Sequence, residues 1–191
     1  MSLHKITYSD TTLAARPSAG LGYQLLLIVA GSLLVAVAAQ IEVPMWPVPV
    51  TVQTLAVLLV GGLLGSRLGV LSLLTYLFAG AIGLPVFAGG GGSLAYFAGP
   101  TTGYLIGFVF AAFVVGWFCE RGWDRKVPTA VFVMLLGTAV IYLCGLPWLA
   151  QFTGLEKVLQ LGFFPFIPGD ILKAIIVAVA LPIGWKLLAR K

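Results

Sequence analysis

Histidine is nearly absent from this chain, with one residue in 191, and cysteine is scarce, with two. His4 stands alone in a polar N-terminal stretch, and Cys119 and Cys144 are too far apart for a ligand pair. A zinc or iron–sulfur site needs several such ligands at short, regular spacing. The sequence therefore predicts no metal and no cofactor, and the two cysteines read as small apolar packing residues. Charge is sparse as well: 9% of residues are Asp, Glu, Lys or Arg, and six are acidic. Six acids leave little for a relay that carries protons through several carboxylates. No Gly-x-x-x-x-Gly-Lys-Ser/Thr stretch occurs, so the chain has no P-loop with which to use ATP. No His-Glu-x-x-His motif and no Ser/His/Asp set is present either, and the sequence does not read as an enzyme.

What the chain has in abundance is apolar length. Hydrophobic residues make up 60%, and the mean hydropathy is +1.08. Long apolar runs of this kind make an all-α integral membrane protein, because a helix satisfies its own backbone in lipid. A span takes about 20 residues, so six transmembrane helices fill the chain and leave no room for a second, soluble domain. The reading is a tail over residues 1–20 and one membrane domain over 21–191. Helices are predicted over Leu21–Gln40, Thr51–Leu64, Val70–Ile82, Tyr104–Phe118, Pro128–Cys144 and Asp170–Leu188. Ala36-Val37-Ala38 resembles a cleavage site, but the apolar run before it is longer than a signal segment, and an uncleaved first helix is expected. Gly65-Ser66-Arg67-Leu68-Gly69 reads as a tight turn. Gly83-Leu84-Pro85 and Gly145-Leu146-Pro147 are expected to end the third and fifth helices at the same face.

Basic residues orient the bundle. With the N-terminus inside, Lys5, Arg16, Arg67, Arg121, Arg125, Lys126, Lys186, Arg190 and Lys191 all fall on the inner side, against Lys157 alone outside. Both termini are then cytoplasmic. Three unusual segments converge on the outer side: the proline-rich stretch Pro47 to Thr54, the uncharged loop Gly83 to Gly103, and the start of the last helix. Backbone this irregular at membrane depth is tolerated where it lines a cavity.

Asp170 and Lys173 are the central pair. Three apart on a helix, they share a face, and charges within a span usually face a cavity and serve a ligand or ion. The plainer alternative makes Asp170 an N-cap and Lys173 a snorkelling charge. Gly89-Gly90-Gly91-Gly92 can bring backbone N–H and C=O groups close to a ligand, or can be a plain flexible linker. Ser32 and Ala36, four apart on the first helix, suit close helix contact.

Three runs together resemble the BioY family, the biotin-binding S components of energy-coupling factor transporters. They are Pro-Val-Pro-Val-Thr-Val-Gln-Thr, the stretch from Gly83 through Tyr104, and Phe-Ile-Pro-Gly-Asp-Ile-Leu-Lys-Ala. The resemblance implies a six-helix S-component fold with an outward-facing pocket in a prokaryotic cell membrane. It implies biotin as substrate and, as partners, a transmembrane coupling subunit and two ATP-binding subunits. It implies that Asp170, Lys173, Gly89, Gly90, Gly91, Gly92 and Tyr96 bind substrate, with Gln53, Phe87 and Trp148 beside them. It places the docking face on helix 1, at Ser32 and Ala36, where Ser stands at one of the family's two alanine positions. An ionised Asp accepts and a Lys donates, so Asp170 can take a ureido N–H. Lys173 can serve either the ureido carbonyl or the carboxylate, and glycine-loop N–H groups can take the carboxylate instead. The alternative function is a self-sufficient secondary carrier or channel for a small anion or another vitamin.

Overall fold

The computed structural model of the chain describes residues 20–188. The tail before Gly20, with His4, Lys5 and Arg16, lies outside the described residues, as do Arg190 and Lys191. Six helices follow in order: α1 (Leu21–Gln40), α2 (Gln53–Ala81), α3 (Thr102–Cys119), α4 (Val127–Thr153), the short α5 (Val158–Gly162) and α6 (Ile167–Leu188). Between α1 and α2 a small antiparallel pair, β1 (Glu42–Val43) and β2 (Val50–Thr51), closes the proline segment, with Glu42 opposite Thr51. All the helices but α5 are long and apolar enough to cross a membrane, and the chain is an integral membrane protein.

Sequence reading expects six spans, and α2 reconciles the two counts. Its backbone breaks at Gly65, with φ +79° and ψ −179°, a conformation open to glycine and strained for any residue with a Cβ. A Cβ added at Gly69 would lie 3.3 Å from the Gly61 Cα. Eight residues along a straight helix are about 12 Å apart. The chain therefore folds back at Gly65, and α2 is two helices joined without a loop. The second half resumes at Ser66 rather than at Val70, which makes the turn tighter than expected.

Glycine contacts hold this hairpin against α3, and α3 against α4. The Ala112 carbonyl of α3 is 2.9 Å from where a Gly61 Cβ would be, and Ile141 of α4 is 3.0 Å from the corresponding point at Gly107. A Cβ on Gly116 would lie 2.3 Å from the Ser66 amide nitrogen, so the turn itself rests on α3. Glu120 completes that junction by accepting from the Ser66 amide at 2.7 Å and the Ser66 hydroxyl at 2.6 Å. Small residues that let backbones approach are the usual means of tight packing in lipid.

One expectation changes. Gly83-Leu84-Pro85 does end a helix, but Gly145-Leu146-Pro147 lies inside α4, which continues to Thr153. Gly145 is covered by the Tyr104 ring, whose Cδ1 is 2.5 Å from the site of a Cβ. Pro147 removes a donor without ending the helix, as packed neighbours permit in membrane helices. Ser32 is 7% exposed, on the side of α1 where Gly31 meets Ser72 of α2, and Ala36 is half-buried against the core. The outward face of α1 carries Leu25, Leu26, Val29, Leu33 and Val37.

Arg67, Arg121, Arg125, Lys126 and Lys186 gather at the end of the bundle where the Gly65 turn meets the α3–α4 connection. There the Trp185 indole donates to the buried Asp124, and Arg125 lies over the Trp185 ring. Burial raises the Asp124 pKa against that hydrogen bond and the Arg125 charge, which lower it. The proline segment and the glycine loop lie at the opposite end.

Gly116→Ala is expected to lower stability by about 1–3 kcal/mol through overpacking against the Gly65 turn. Gly22→Ala, with nothing within 4 Å, is the control and should not lower it. Thermal scans of the two variants in detergent read the difference. Equal midpoints would mean that the α2 turn does not rest on α3.

Candidate substrate-binding site

Asp170 stands in the first turn of α6, three residues beyond its start at Ile167. Its backbone N–H already donates to the Phe166 carbonyl. It is not the N-cap, and its side chain turns into the bundle with 4% exposure. Three donors converge on it from three helices. Thr54, near the start of α2, donates its hydroxyl to Oδ1 at 2.9 Å. Lys173, one turn on in α6, donates to the same oxygen at 2.9 Å. Tyr142 of α4 donates to Oδ2 at 2.5 Å. A carboxylate offers about four lone-pair sites on its two oxygens. Three are filled, and the remaining one is on Oδ2.

Lys173 is half-buried but fully bonded. Besides Asp170, its ammonium donates to the Thr51 carbonyl at 2.7 Å and the Thr54 hydroxyl at 3.0 Å. An ammonium has three protons, and all three have acceptors. The lysine thus fastens α6 to the β2–α2 junction and does not snorkel outward.

This cluster lines a cleft with about 550 Å³ of atom-free space, part of it continuous with the surface. Its walls are mostly apolar: Val48 and Pro49 from the proline segment, Leu105 and Phe108 from α3, Ile141 from α4, and Phe166. Tyr96, Thr101 and Tyr104 add hydroxyls, and Gln53 and Thr51 an amide and a third threonine. Tyr104 donates to the Gly162 carbonyl at 2.8 Å and stacks beside Phe166, so α5 and the α6 start are held together. A mostly apolar cleft with a few convergent polar groups is the usual form of a small-molecule site.

The residues singled out from sequence divide into two groups. Asp170, Lys173, Gln53 and Tyr96 line the cleft. Gln53 does so with its amide turned inward, donating to the Tyr76 hydroxyl at 2.7 Å. Gly89, Gly90, Gly91, Gly92, Phe87 and Trp148 do not line it; Ala88 does. Phe87 has no exposed surface and anchors the loop, with its ring on Gly80 and against Tyr76, Tyr96 and Phe97. Trp148 donates to the Gly99 carbonyl at 2.9 Å and pins the loop from α4. Gly92 passes so close to Leu84 that a Cβ would sit 2.0 Å from that carbonyl oxygen, and a Cβ on Gly91 would sit 2.6 Å from the Tyr96 ring. The glycines thus let the loop fold under Tyr96, and Tyr96 faces the cleft. Two short 3₁₀ turns, Ala88–Gly90 and Leu94–Ala98, give the loop its shape, which a plain linker would not have.

Sequence reasoning passed over Thr54, Tyr104 and Tyr142. Tyr142 had a signal: a hydroxyl within an apolar helix must find a partner, and the nearest charge in need of donors was Asp170. Thr54 lies one helical turn from Thr51 and next to Gln53, on a stretch already singled out.

A model of the BioY family matches residues 12–190. A probable biotin transporter BioY of Pyrococcus horikoshii is 48% identical over 141 residues, covering 74% of this chain and 83% of the relative. A biotin transporter BioY of Rhizobium etli is 42% identical over 153 residues, covering 74% and 82%. The fold is similar to a crystal structure of the S-component for biotin from an ECF-type ABC transporter. The TM-score is 0.77 at 29% identity, over 86% of this chain and 91% of that one.

Tyr142→Phe is expected to destabilise the ligand-free protein by about 1–3 kcal/mol, since it takes a donor from a buried carboxylate. Unfolding in detergent measures this. An unchanged midpoint would mean that Oδ2 does not depend on Tyr142.

Proposed function

The chain belongs to the BioY family, and from that premise we propose that it is the substrate-binding subunit, the S component, of a biotin uptake transporter. One observation carries the reading: a buried carboxylate with a single open lone-pair site at the floor of an apolar cleft. Biotin's ureido ring carries N–H donors and a carbonyl, set on an apolar bicycle with an apolar chain. A ureido N–H fills the open site on Asp170 Oδ2. The ureido carbonyl takes a proton of Lys173, which exchanges one of its three bonds. Phe108, Leu105, Ile141 and Tyr104 are wall for the apolar bicycle. Tyr96 closes the side toward the glycine loop, and burial raises its pKa, which keeps its hydroxyl a donor.

The relatives named as biotin transporters support reading the subunit as a binder and not an enzyme. It has no P-loop, so uptake against a gradient draws on other subunits. A transmembrane coupling subunit and two ATP-binding subunits supply that energy. A self-sufficient carrier is the weaker reading, because family, relatives and solved structure all point to biotin transport and to an S component.

The orientation follows from charge. The basic residues at the Gly65 end support a cytoplasmic position for that end and for both termini. The cleft then opens outward from a prokaryotic cell membrane and captures external biotin.

Two experiments test this. Calorimetry in detergent should show biotin binding to the wild type, weakened roughly ten- to a hundredfold by Asp170→Asn and by Lys173→Met through loss of a charge-assisted hydrogen bond. Absence of binding to the wild type overturns the reading; a variant with unchanged affinity removes that residue from it. In intact cells, an impermeant thiol reagent should label Gly91→Cys and miss Trp123→Cys. The opposite pattern would reverse the orientation.

A further inference from the structure

Beside the cleft lies a wider chamber, largely open to the surface, with about 890 Å³ of atom-free space that takes in open solvent. The two share Pro49, Ala88, Tyr96 and Thr101 as lining residues, so they are consecutive parts of one passage. The charges lining the passage are Asp170 and Lys173 in the cleft and Glu42 in the chamber. No cation lines the chamber.

This distribution bears on the ligand's tail. Free biotin ends in a carboxylate. The one ammonium lining the passage has its three protons on Thr51, Thr54 and Asp170, and the ureido ring competes for it. A tail that passes Tyr96 meets no other fixed positive charge. It meets Glu42. That residue is half-buried, held by the β1–β2 pair opposite Thr51, with its Oε1 3.5 Å from where a Cβ on Gly89 would stand. Among the described residues it forms no ion pair within 4.0 Å. An acid fixed at that place repels a terminal carboxylate and attracts an amine. Trp46, Met45 and Pro44 beside it offer apolar contact to a linker, and Trp46 is 76% exposed.

We propose that the chamber is a tail subsite, and that it selects biotin derivatives whose carboxylate is masked as an amide bearing a primary amine. This rests on biotin binding in the cleft and adds a ligand class to it. In such a ligand the ureido ring occupies the Asp170 cluster, the chain runs past Tyr96 and Thr101, and the ammonium reaches Glu42. Free biotin binds the same cleft without that last contact.

Calorimetry on the full chain in detergent separates the possibilities, with three probes: biotin, its neutral methyl ester, and biotin coupled through an amide to ethylenediamine. The amine probe is expected to bind at least as tightly as biotin. Glu42→Gln should weaken the amine probe by roughly threefold to tenfold, as loss of one half-exposed charge pair allows, while leaving biotin equal or tighter. Glu42→Lys should turn the preference toward biotin. The methyl ester should be indifferent to both substitutions, which controls for distortion of the hairpin. If biotin binds and the amine probe does not, or if the ratio of the two is unmoved by both substitutions, the tail subsite is overturned while biotin binding stands. If no probe binds the wild type, both readings fall.

Discussion

The Asp170–Lys173 pair is the interaction on which the rest of the site depends. Removing two charges from water is costly, and attraction between them offsets that cost only when every remaining lone pair and proton is satisfied. The protein meets the condition by drawing in Thr54 and the Thr51 carbonyl from the β2–α2 junction and Tyr142 from α4. The pair therefore fixes the relative positions of α2, α4 and α6 at one end of the bundle. An all-apolar junction of the same volume would often be as stable. Retaining a charged one makes physical sense when a ligand uses the lone-pair site left over.

At the other end of the bundle, backbones approach closely. The α2 hairpin folds back at Gly65 without a loop, and Gly116 and Gly61 let α3 lie directly on it. Close backbone approach at that end, and bulky Tyr104, Phe108, Tyr142 and Phe166 at the other, keep the helices together in one place and apart in another. The cleft is the space that difference leaves. In lipid, where apolar residues gain little by association, packing of this kind and interhelical hydrogen bonds carry the assembly.

The glycine loop illustrates how function can be indirect. Its glycines are not the cleft wall. They allow the chain to pass beneath Tyr96 and against Leu84, while Phe87 and Trp148 anchor the loop on each side. The result is a rigid placement of one aromatic ring between the cleft and the wider chamber.

Apolar length and the scarcity of His and Cys determined the helical membrane class, the lack of a metal-ligand set and the lack of an ATP motif. Spacing alone put Asp170 and Lys173 on one face, and the run Phe166 to Ala174 carried the family. These are local properties, legible because they depend on periodicity and on residues near one another in the chain. Tertiary structure decided the rest. The turn at Gly65 was legible from its glycines, but that the two helices join there without a loop, at a positive φ, came from the structure. α4 passes through Pro147 to Thr153, with Tyr104 packed on Gly145 just before it. Ser32 is buried beside Gly31, which meets Ser72 of α2. Thr54 and Tyr142 belong to Asp170 only through contacts that span 116 and 28 residues. Which side chain faces a ligand, and which merely supports one that does, is set by packing between distant segments, and no local pattern encodes it.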